Sequence, residues 1–117
     1  MNNKPKQKFY FLWITAICIL TYILQITITG FTKQFMLTEA ALSKPWQFLT
    51  AVFLHGSTMH LAYNLFALII FGLILEQVIG SKKFLAIYLI SGILANIISL
   101  YWYPNALGAS GAIMAVL

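Results

Sequence analysis

The chain has 117 residues, 62% of them hydrophobic and 8% charged, with a mean hydropathy of +0.90; this balance excludes an ordinary soluble domain and belongs in a bilayer. The net charge of +5 does not mark a nucleic-acid surface, because Lys4, Lys6 and Lys8, three of the seven basic residues, crowd the first eight positions beside a long apolar run and read as a topology signal. Cys18 is the single cysteine, so neither an internal disulfide nor a metal-ligand spacing exists, and no cofactor is expected.

Residues 1–8 form a basic N-terminus. From Phe9 to Thr29 there is no charged residue over 21 positions, enough for a helix to cross a hydrocarbon core of roughly 30 Å. A secretory signal would have a shorter apolar region and a small-residue cleavage site, and Gln25 to Thr29 offers none. Gly30 to Pro45 mixes Lys33, Glu39 and Lys44 with Phe31, Phe35, Met36, Leu37 and Leu42, the pattern of an amphipathic segment in the interface. A second span is predicted over 57–79, with Ser57 or Thr58 capping its free N–H groups and Gly80 ending it. Ser81 then caps a third span over 82–103, which closes on the amphipathic rings of Tyr101, Trp102 and Tyr103. In that span Ser91, Ala95 and Ser99 form a small-residue stripe suited to close helix approach, and Asn96 has no assigned role beyond bonding a neighbouring helix. Pro104 and Asn105 break the helix. A fourth apolar segment over 108–117 stops after about ten residues, too short to cross. The expected fold is thus all-α, a polytopic transmembrane bundle of three complete spans and the start of a fourth.

Lys4, Lys6 and Lys8 flank the start of the first span, and Lys82 and Lys83 flank the turn between the second and third. Both ends are therefore expected in the cytoplasm. The segments 30–56 and 103–108 then face the outer side, which brings the N-terminal ends of the second and fourth spans to similar depth.

Strongly polar groups inside a bilayer are costly and call for a partner or a function. The second span holds three. His60 and Asn64, four apart, are neighbours near its outer end. Glu76 sits one turn from the other end, and because each four-residue step drifts about 40° around the helix, it is expected on a different face. The other cluster is Gly108-Ala109-Ser110-Gly111, which places a hydroxyl in the first turn of the fourth span, among free N–H groups and the positive end of the dipole that favour a developing oxyanion. Taken alone, the string also suits close helix packing, and His55 or His60 alone also suits a half-wet, hydrogen-bonded ring.

Together, Trp46, His55-Gly56-Ser57-Thr58-Met59-His60, Asn64, Gly72, Glu76, Gly80 and Gly108-Ala109-Ser110-Gly111-Ala112 resemble, in order and spacing, the core of the rhomboid intramembrane serine proteases. The likeness covers Lys44 to Leu117, and the first span agrees in topology. The family's His-x-x-x-Asn motif falls on His60 and Asn64, and its Gly-x-Ser-Gly motif on Gly108, Ser110 and Gly111. The resemblance implies that Ser110 is the nucleophile, that His60, Asn64 and the Gly108 motif with the Ser110 N–H serve the oxyanion and substrate, and that Glu76 and Trp46 are structural. It also implies a hydrolase acting on transmembrane protein substrates in a lipid bilayer, a multi-pass protein of the plasma or an inner membrane with a cytoplasmic N-terminus.

Two departures stand out. Trp46 is followed by Gln47 where the family often has an arginine that braces the first outer loop. The family's general base is a histidine on a sixth helix, and His55 and His60 are the only histidines here, so the 117-residue chain is expected to be an incomplete, inactive portion. A catalytically inactive relative that binds transmembrane clients and a small multi-span transporter are the competing readings.

Overall fold

Residues 7–102 are described by the computed structural model, and every regular element among them is helical. Helix α1 spans Tyr10–Thr27, α2 Phe31–Phe35, α3 Trp46–Thr50, α4 Thr58–Ile79 and α5 Ser81–Trp102, with 3-10 turns at Glu39–Leu42 and Ala51–Phe53. The Pro104-Asn105 break, the fourth span and its serine motif lie outside the described residues. Three of the helices are long and apolar enough to cross a membrane; α4, at 22 residues, is about 33 Å long at 1.5 Å per residue. Their outward faces carry Trp13, Phe66 and Val78, each 66–70% exposed, which would be an aggregation surface in water and is ordinary in lipid. The chain is a helical membrane bundle.

Helix α1 packs on α4, and α5 returns beside both. The buried positions of α4 are Asn64, Leu68, Gly72 and Glu76, an unbroken four-residue row. Glu76 therefore belongs to the same buried row as Asn64, although the drift sets it on a different side of the helix. The row winds about 120° between them, and neighbouring helices follow such a ridge, since rows of residues four apart are what interlock at helix crossings. Phe11, Ile14, Cys18, Leu68, Phe84 and Tyr88 fill the centre together with Val52. In α5 the buried row is Phe84, Tyr88, Gly92 and Asn96, and the Ser91-Ala95-Ser99 stripe lies half-buried along its edge.

At the Gly80 end, α1 starts on Phe9 in the left-handed conformation with no side-chain cap of its own. Its cap comes from α4. The fully buried Glu76 carboxylate accepts the N–H of Tyr10 at 2.8 Å and of Phe11 at 2.9 Å, so an anion sits where the first-turn donors and the helix dipole favour one. Ser81, expected as a cap of α5, gives its hydroxyl proton to the same carboxylate at 2.6 Å and accepts from the Lys8 N–H at 2.7 Å. Between these helices Gly80 makes the turn at a positive φ of 91°, a conformation open to glycine.

At the opposite, His60 end, residues 28–57 fold back as a compact segment. Leu37, Ala41 and Ala51 are buried together against Phe48 and Leu100. Gln47, 1% exposed, braces the segment from inside. Its carbonyl oxygen accepts from the Thr38 hydroxyl at 2.8 Å and the Thr38 N–H at 3.2 Å, and its amide donates to the Gln34 carbonyl at 3.4 Å. The bracing expected to be missing with the arginine is thus present in another form. Asn96 finds its partner here too, donating to the Phe48 carbonyl at 2.8 Å and tying α5 to the segment.

Candidate active site

The polar residues at the start of α4 are held by a turn that the local sequence dictates. Ser57, in extended conformation, accepts the His60 N–H on its hydroxyl at 3.1 Å and the Leu61 N–H on its carbonyl at 3.0 Å, the geometry of a serine N-cap. His60 is then in the first turn, half-buried, and Asn64 follows one turn on, 8% exposed.

The Gly56 N–H donates to the Nδ1 of His60 at 3.4 Å, an acceptor role that, in a neutral ring, leaves the proton on Nε2. Nε2 makes no hydrogen bond to a described residue. The Asn64 amide nitrogen is likewise without a partner among the described residues although it is buried. Two N–H donors one helical turn apart are therefore uncommitted, an arrangement able to bind a negatively charged oxygen.

His55 lies behind this pair. Its ring meets that of His60 edge-on, centroids 5.3 Å apart, and it is 1% exposed with neither nitrogen hydrogen-bonded to a described residue. Burial, reinforced by the neighbouring His60, pushes its imidazole down to about 4 from an ordinary 6.5. His55 is therefore a neutral spacer above that pH.

Two residues of α1 that drew no attention in the sequence grip this turn. Gln25 donates to the His55 carbonyl at 2.8 Å and accepts the His55 N–H at 3.0 Å. Tyr22, one turn earlier, shares a 2.9 Å bond with the Thr58 hydroxyl. Neither stood in a recognisable motif; only their position, three apart near the end of an apolar helix, could have flagged them.

Trp46, at the start of α3, donates its indole N–H to the Gln34 carbonyl at 3.3 Å, and Glu76 lies at the far end of α4. Ser110 and Gly108 fall outside the described residues.

The rhomboid domain profile matches residues 42–117, well over half the chain. The chain belongs to the rhomboid family. Among curated rhomboids it is 38% identical to rhomboid protease GluP of Bacillus subtilis over 99% of this chain and 24% of that protein. It is 31% identical to rhomboid protease GlpG of Haemophilus influenzae over 89% of this chain and 57% of that one. It is also 39% identical to the mitochondrial RHOMBOID-like protein 6 of Arabidopsis thaliana over 64% of this chain and 25% of that protein. The chain thus spans between about a quarter and under three fifths of these rhomboids' length. The match to the Bacillus protein extends the likeness across the first span, beyond the Lys44–Leu117 stretch that carries the motifs.

Proposed function

We propose that this rhomboid is an intramembrane serine endopeptidase in which Ser110 attacks the carbonyl of a transmembrane substrate, while His60, Asn64 and the backbone of the Gly108–Ser110 turn bind the oxyanion. The observation that carries the reading is the pair of N–H donors at the head of α4 that have no partner among the described residues, in a chain whose family includes named proteases. Glu76 and Trp46 take structural roles, at the cap of α1 and in the outer segment. The basic residues Lys8, Lys82 and Lys83 cluster at one end of the bundle, which supports a cytoplasmic N-terminus and an active site opening on the outer side of a plasma or inner membrane. Neither His55 nor His60 is assigned as the general base, so the 117-residue chain by itself is expected to show little or no turnover.

A peptide bond within a regular helix is shielded and its carbonyl already bonded, so attack requires local unwinding and water. Preferred substrates are therefore single spans with small, helix-weakening residues near the outer interface. The test is cleavage of such a substrate in liposomes by the chain extended with its natural downstream sequence. Ser110→Ala is expected to abolish cleavage, and His60→Ala and Asn64→Ala each to lower it by about 10²-fold to 10³-fold. Full activity of Ser110→Ala would overturn the mechanism, and an inert wild-type protein would favour a client-binding relative.

A further inference from the structure

The route from Gln25 to His60 runs through a single peptide unit. A trans peptide is planar, with its C=O and N–H pointing in opposite directions. The unit joining His55 to Gly56 has its carbonyl held by the Gln25 amide at 2.8 Å, and its N–H therefore faces the other way, onto His60 Nδ1 at 3.4 Å. Gln25 also holds the N–H of His55 at 3.0 Å and anchors its own amide on the Thr32 hydroxyl at 3.2 Å, so the preceding peptide plane is constrained as well. The chain of donors that begins at the Gln25 amide thus ends on His60 Nδ1, which accepts. Tyr22 adds a second grip at Thr58, on the other flank of the turn.

We propose that Gln25, seconded by Tyr22, is a positioning residue: through the His55–Gly56 peptide it orients His60 and keeps its proton on Nε2, the nitrogen left to donate to an oxyanion. The inference rests on the reading of His60 as an oxyanion donor. It gives α1 a share in the site.

Gln25→Met keeps the length and volume of the side chain and removes all three of its hydrogen bonds. In the chain extended by its natural downstream sequence, it is expected to lower kcat about tenfold with KM nearly unchanged, since a displaced oxyanion donor loses transition-state rather than ground-state binding. Tyr22→Phe, which deletes one hydroxyl and is the milder test should Gln25→Met fold poorly, is expected to lower kcat about threefold. Both effects should vanish in a His60→Ala background, because residues acting through one group are not additive. The same factor in both backgrounds, or no effect in either, would overturn the proposal.

A second readout is independent of turnover. In the 117-residue chain labelled with 15N-histidine in micelles, His60 should show an unprotonated Nδ1 and a protonated Nε2, and Gln25→Met should mix the tautomers. An unchanged His60 spectrum would overturn the positioning role. Should the extended wild type and its Ser110→Ala variant both be inert, the protease reading fails, and this spectrum still decides the part played by Gln25.

Discussion

Glu76 accepts and never donates: Oε2 takes the Tyr10 N–H and the Ser81 hydroxyl, and Oε1 takes the Phe11 N–H. Glutamine, though isosteric, would turn an NH2 group onto one of these donors. Glu76→Gln is therefore expected to destabilise the bundle by about 1–3 kcal/mol, the range for a buried polar group left unmatched, measured by thermal unfolding in micelles. His55 makes a complementary case. Its folded pKa of about 4 lies below the ordinary 6.5, so between those values the unfolded chain binds a proton that the folded chain does not. The His55 contribution to stability is therefore expected to be complete above about pH 6.5 and to be lost as pH drops toward 4. His55→Phe fills the same space without titrating, and its melting temperature should lose this contribution to the slope across that window. An unchanged slope would show that other groups set it.

Among the elements, the α1–α4 contact depends on a single missing side chain. A Cβ built on Gly72 would stand 3.1 Å from the Cβ of Phe11 and 3.4 Å from atoms of Leu68 and Phe84. The nearest of these belongs to the rigid root of a side chain on α1, so relief requires the helix itself to move. Within a membrane, helices associate through such close packing rather than through the hydrophobic effect. Gly72→Val is expected to cost about 1–3 kcal/mol through overpacking, read from the same unfolding measurement. Gly72→Ala should cost less, since alanine recovers up to about 1 kcal/mol of helix propensity.

At the level of the whole molecule, three antiparallel spanning helices place the start of α1 and the α4–α5 turn at one end and residues 28–57 at the other. Cys18, buried in α1, is the single native thiol, so a Cys18→Ala background permits single-cysteine labelling. Lys83→Cys and Lys44→Cys should react with an impermeant maleimide from opposite faces of oriented vesicles, Lys83→Cys from the cytoplasmic face. Labelling of both from one face would overturn the topology.

Much of this architecture was legible before any coordinates, because a bilayer imposes a coarse and local rule. An uncharged run must be a helix, its length must match the hydrocarbon thickness, and glycine, proline and serine mark where it stops. The Ser57 cap and the Gly80 turn follow from those residues' own chemistry. The His60–Asn64 neighbourhood follows from helical spacing. What the tertiary structure alone decided are the bonds between residues distant in sequence: Glu76 capping a helix 65 positions away, Asn96 reaching the Phe48 carbonyl, Gln47 bracing its segment without an arginine, and Gln25 gripping the turn before His60. No periodicity encodes these. A glutamine near the end of an apolar helix reads the same whether it faces headgroups or a backbone carbonyl, and only the packing of one helix on another selects its partner.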